Sequence, residues 1–102
     1  MDLFDQDNGV NFPDLPVGTK IEAETRNTRY TFIITSEGLT VDDGGKRCVN
    51  GPAKTRIAWN IVRPGWSMWF DHPVKEGKST MTTDVRHIVV TLPDGTTAER
   101  SA

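Results

Sequence analysis

The sequence predicts an all-β domain, a small, partly closed antiparallel barrel of about six strands. Three observations carry this expectation. Polar and apolar residues alternate with period two over several short stretches, beginning with Lys20-Ile21-Glu22-Ala23-Glu24-Thr25. Turn-forming clusters of Gly, Pro, Asn and Asp separate these stretches at spacings near the ~8–12 residues of small sandwiches and barrels. No stretch repeats its apolar residues with the sustained 3.6-residue period of a helix. A sheet of six short strands with both edges open invites edge-to-edge pairing, and curling into a barrel removes the edges. An SH3-like or OB-like topology would satisfy that closure.

The strands follow in order. In the first, Ile21, Ala23 and Thr25 face inward. Arg26-Asn27-Thr28 is a turn, because the Asn side chain tolerates a left-handed backbone. Arg29–Thr35 returns antiparallel with Tyr30, Phe32 and Ile34 on one face. Ser36-Glu37-Gly38 leads to a third strand, Leu39–Asp42, which Asp43-Gly44-Gly45 breaks. Residues 46–52 are read as irregular. Thr55–Val62 is read as one strand that groups Ile57, Trp59 and Ile61. Arg63-Pro64-Gly65 turns the chain into Trp66–Phe70, and Ser79–Leu92 is the last strand, ended by Pro93-Asp94-Gly95. Three regions result: an acidic leader over 1–16, flexible or laid across the domain; the barrel over 17–95; and a frayed tail over 96–102.

Composition narrows the function. A chain of 102 residues with 35% apolar content is one domain with a modest core. The net charge is −2, and residues 1–16 hold four aspartates and no Lys or Arg, so the body is weakly basic at +2. Dedicated nucleic-acid binders are far more basic, with pI above ~9. No run approaches the ~20 apolar residues of a membrane span. The first residues lack the basic and apolar regions of a secretory signal. Cys48 is the single cysteine, which fits a reducing compartment. The expectation is a cytoplasmic protein.

The strongest candidate for function is RPGWSMWFDHP, residues 63–73, with two tryptophans within four positions. If Trp66, Met68 and Phe70 fill the barrel, Trp69 projects outward beside Ser67 and Asp71. An uncovered indole forgoes on the order of 2–3 kcal/mol of burial, so a cover is expected: the leader, another subunit or a ligand. Trp69, Ser67 and Asp71 are therefore the candidate partner-binding residues, for a protein partner or a homo-oligomer. The alternative is a single-stranded nucleic-acid binder in which Tyr30 stacks a base and Arg26, Arg29 and Arg56 contact phosphate, with Lys46, Arg47, Lys54 and Arg63 as further cations.

Other chemistry finds no footing. Asp42-Asp43-Gly44-Gly45 lacks the alternating oxygen ligands of a calcium loop. His72 and His87 have carboxylates nearby in sequence, but nothing makes them converge on a metal. Gly77-Lys78-Ser79 lacks the upstream glycine of a phosphate loop, since His72 stands there. No acid–base pair or activated nucleophile can be placed. No cofactor, no metal and no enzymatic activity are expected.

Three fragments, Leu15–Ile21, Thr25–Phe32 and Thr82–Ile88, together resemble small uncharacterised bacterial β-proteins. Those proteins open with a Gly-Thr strand, continue with a Thr-x-Asn-x-x-Tyr hairpin and carry a Thr-Ser-x-Val strand near the end. Thr83 stands here at the Ser position. The resemblance covers residues 15–90 and implies the all-β fold without an activity. The first hairpin also resembles the opening of Sm-like RNA-binding barrels, whose RNA-contacting Asp and Asn pattern has no counterpart here.

Overall fold

The computed structural model describes residues 3–44, 52–72, 75 and 77–102. Cys48, Lys46 and Arg47 lie outside them, as do Gly45 and part of the loop after His72. The fold is all-β. Its strands are β1 (Val10–Asn11), β2 (Lys20–Glu24), β3 (Arg29–Thr35), β4 (Gly38–Asp42) and β5 (Ala53–Thr55), followed by β6 (Ile61–Val62), β7 (Ser67–Asp71), β8 (Ser79–Asp84), β9 (His87–Thr91) and β10 (Thr97–Ser101). Single 3₁₀ turns lie at Phe12–Asp14 and Ala58–Asn60.

Six strands form one antiparallel sheet in the order β10-β9-β2-β3-β4-β5, with two-stranded ribbons β1–β6 and β7–β8 beside it. The alternation in β2 and β3 translates directly into register: Ile21 faces Phe32 and Ala23 faces Tyr30 across the hairpin. The turn is closed by Thr25, whose backbone N–H donates to the Thr28 carbonyl at 2.8 Å and whose hydroxyl donates to the same oxygen at 3.1 Å. Inward side chains from β2, β3, β4, β7 and β9 meet in one core around Phe32, which is fully buried. Its ring lies 5.8 Å from that of Phe12 and 5.7 Å from that of Phe70, while Tyr30 meets Phe70 edge-on at 5.5 Å.

Four expectations are corrected. First, the strand expected over 55–62 does not run through, and no closed barrel is found among the described residues. It ends at Thr55, and the link to the β7–β8 ribbon is the bridge between Ile57 and Phe70 with the Asp71 N–H donating to the Arg56 carbonyl and the Thr55 hydroxyl to the Asp71 carbonyl, each at 2.9 Å. Before β6 the chain reverses hand at Trp59 and Asn60, which take left-handed φ values of 60° and 54°. Trp59 is thereby swung out of the face it was expected to share with Ile57 and Ile61. Second, the last long strand is two strands. Val85 and Arg86 form the bend, where the Arg86 N–H donates to the Glu24 carbonyl at 2.7 Å. Third, the tail is paired rather than frayed: β10 runs antiparallel to β9 from Thr97↔Thr91 to Ser101↔His87. Its sequence, TAERS, holds one apolar residue, Ala98, and carries almost no periodic signal. Fourth, Trp66 belongs to the turn before β7 and not to the core face of the strand.

The leader lies across the domain. Phe4, Val10, Phe12 and Leu15 are all buried in the core, and β1 pairs with β6. Its described aspartates serve local structure. Asp5 accepts backbone N–H bonds from Asp7 and Gly9 through one carboxylate oxygen, each at 2.8 Å. The Gly9 bond is the largest of the influences holding the Asp5 carboxyl below its usual pKa, with the Arg63 guanidinium adding to it.

Candidate functional site: an exposed indole face

Every tryptophan of the chain is exposed: Trp59 at 81%, Trp66 at 64% and Trp69 at 49%. An aromatic side chain offers ~150–250 Å², so these indoles leave roughly 300–500 Å² facing water. That matches the largest apolar patch of a typical monomer, and such patches are often functional. Each indole reaches the surface by a different local device.

Trp69 is aimed by β7. Met68 and Phe70 point into the core and Trp69 points out, as the pleat requires. A register shift between Ser67 and Trp69 interrupts the ladder to β8. The Met68 N–H, which lies beside this irregularity, donates instead to the Thr82 hydroxyl at 3.0 Å. Such bulges commonly re-aim a side chain. Opposite Trp69 in the ladder stands Met81, itself 65% exposed, so the apolar surface continues onto β8.

Trp66 is aimed by Arg63. Gly65 takes φ 86°, a conformation that favours glycine. The Arg63 guanidinium then stacks 5.6 Å from the Trp66 ring centre, a contact of about 0.5–1 kcal/mol at an exposed site. Arg63 is held in turn by the leader, with Asp5 at 3.6 Å and Asp7 at 3.9 Å. The leader therefore leaves Trp69 uncovered and fixes Trp66 from behind, through one cation.

Trp59 is aimed by its own backbone. A left-handed conformation costs a bulky L-residue roughly 1–2 kcal/mol, and strained residues of this kind cluster at working surfaces. Since Trp59 is 81% exposed and has little packing to lose, Trp59→Gly is expected to leave stability unchanged or to raise it by up to ~1 kcal/mol. Urea denaturation followed by circular dichroism checks this; a loss above ~1 kcal/mol would show that the ring supports the fold.

The three indoles surround a cavity of about 350 Å³, with Ile61, Arg63 and Met68 also in its wall. A wider groove of about 1010 Å³ runs on the other side of Trp69, between Phe12, Leu39, Arg56 and Asp71. The structure thus brings the expected partner-binding residues into one arrangement. Ser67 lines the cavity, Asp71 lines the groove, and Trp69 is the ridge between them. Ser67 donates to Asp84 at 3.3 Å, and Asp71 pairs with Arg56 at 3.1 Å.

The nucleic-acid set is not assembled in this way. Tyr30 is buried against Phe70 and offers no face to a base. Arg29 is engaged by Glu24 at 3.0 Å and Glu22 at 4.0 Å, and its hydrogen bond to Glu24 raises its pKa further. Arg26 sits exposed in the β2–β3 turn, while Arg56 lies at the crossing of β5 and β7 beside Asp71. His72 accepts the Lys75 N–H at 2.9 Å, and His87 contacts Ser101 at 2.8 Å and Glu99 at 3.4 Å. Among the described residues no three His, Cys, Asp or Glu side chains gather as a metal site. No helix among them is long and apolar enough to cross a membrane.

Sequence reasoning found Trp69 and missed its two companions. The signal for Trp66 was Gly65, which marks a turn that extends one residue further than expected. For Trp59 the signal was the following Asn60, a residue that accepts left-handed backbone. The chain matches no family model, no curated protein and no solved structure. What defines it is an all-β scaffold that presents an indole face.

Proposed function

We propose that this protein is a non-enzymatic interaction module that binds a protein partner, or a second copy of itself, through the face centred on Trp69. The observation that carries the reading is the convergence of Trp59, Trp66 and Trp69 around one cavity, with Met81 extending the patch. Tryptophan is the residue most enriched among interface hot spots, where truncation costs ~2 kcal/mol or more. Trp69→Ser is therefore expected to weaken association about thirtyfold or more while leaving the circular dichroism spectrum intact. Light scattering over a concentration series reads self-association, and comparative capture by wild type and variant reads a partner. A wild type that stays monomeric, and that retains the same proteins as the variant, would overturn the reading.

A further inference from the structure

We propose that the cavity between the tryptophans receives a proline-rich segment of a partner protein in the extended polyproline conformation. The inference rests on the reading of this face as a contact surface and names what the contact is made with. It follows from hydrogen-bonding capacity, charge and size.

The side chains of the cavity wall offer more donors than acceptors. An indole carries an N–H donor and no acceptor, and a guanidinium likewise only donates. None of the three indole N–H groups has a partner among the described residues. The one hydroxyl in the wall, Ser67, gives its proton to Asp84 and keeps its oxygen as the one side-chain acceptor there. An occupant rich in carbonyl oxygens and poor in N–H groups fits such a wall. Proline residues supply that balance, since each keeps its carbonyl and lacks the N–H. A polyproline helix also makes no internal hydrogen bonds, so its carbonyls are open to outside donors. A sugar brings many hydroxyl donors, for which the side chains of the wall hold the single Ser67 oxygen.

Charge gives a polyanion little purchase. The cations on this face are already compensated within the chain: Lys54 by Glu37 at 3.3 Å, Arg56 by Asp71, and Arg63 by Asp5 and Asp7. An uncharged segment breaks none of these pairs. Size suits a short segment, because the roughly 300–500 Å² of indole surface is smaller than the ~800 Å² per partner of a standard interface. One turn of polyproline helix, three residues and about 9 Å long, suits the 350 Å³ space. Aromatic-lined grooves are the recurrent docking surface for such segments, whose preformed shape lowers the entropy lost on binding.

The test is a fluorescence titration of the full chain with blocked decaproline. A Gly-Ser peptide of equal length, a cello-oligosaccharide and a mixed-sequence oligonucleotide are run beside it. Saturable binding of decaproline below about 1 mM is expected, with at least tenfold weaker binding of the other three. Trp66→Ala should weaken decaproline binding tenfold or more, and Trp59→Ala should do likewise, both with unchanged circular dichroism. No saturation by decaproline, equal binding of the Gly-Ser peptide, preference for the sugar or oligonucleotide, or binding indifferent to both substitutions would overturn the proposal. If decaproline fails while Trp69→Ser still abolishes an association, the interaction surface stands and only its assigned occupant falls.

Discussion

Phe32→Ala is expected to destabilise the protein by about 3–5 kcal/mol, a large share of the ~5–15 kcal/mol that holds a domain of this kind folded. Phe32 is completely buried on β3 and touches two other rings, Phe12 at 5.8 Å and Phe70 at 5.7 Å. Those rings belong to the leader and to β7, so one side chain joins three parts of the chain that no continuous ladder unites. Removing it leaves a cavity that collapse can only partly fill, because β2 and β4 fix β3 from both sides. The leader should loosen together with the global loss. Urea denaturation followed by circular dichroism gives the stability, and amide exchange at Val10 and Leu15 gives the leader. A cost below about 1 kcal/mol, or leader protection equal to wild type, would contradict this account of the core.

The second large effect is expected at Gly9. A methyl group built there would lie 2.8 Å from Arg63 Cγ, 2.9 Å from Arg63 Nε and 2.9 Å from Asp5 Oδ2. Such overpacking costs about 1–3 kcal/mol. The backbone cannot easily yield, since the Gly9 carbonyl accepts the Asp5 N–H at 2.8 Å and its N–H is held by the Asp5 carboxylate. Relief must come from Arg63, whose stem would shift and carry the guanidinium off the Trp66 ring. Gly9→Ala should therefore couple to Arg63→Ala by about 0.5–3 kcal/mol, the range for residues in contact. A double-mutant cycle on urea midpoints measures the coupling. Costs that simply add would show that the leader and Arg63 are independent.

What could be read from the sequence follows a physical divide. The β2–β3 hairpin was legible because its inward residues alternate strictly and its turn holds Asn27, so pattern and turn chemistry agree. The outward aim of Trp69 followed from the same period-two rule applied to Met68 and Phe70. Trp59 was not legible, because alternation in TRIAWNIV is preserved while two left-handed residues turn the backbone before β6. Pattern reports side-chain chemistry and is blind to such a reversal of backbone hand. The leader was half legible. Its aspartates announced a polar segment, but Phe4, Val10, Phe12 and Leu15 have no common period and find their places only once β6 and Phe32 exist to receive them. β10 was invisible for the opposite reason: an edge strand pairs through its backbone and needs few apolar side chains.

Because all three indoles sit at the surface and the interior is built from phenylalanine, tyrosine and aliphatic groups, the protein's ultraviolet emission reports little about whether its interior is intact. The native spectrum should already be red-shifted, and melting should move it little. Docking onto the tryptophan side should move it strongly to the blue. The molecule thus carries its own optical probe on the face proposed for docking, with a smaller response to unfolding than a buried indole would give.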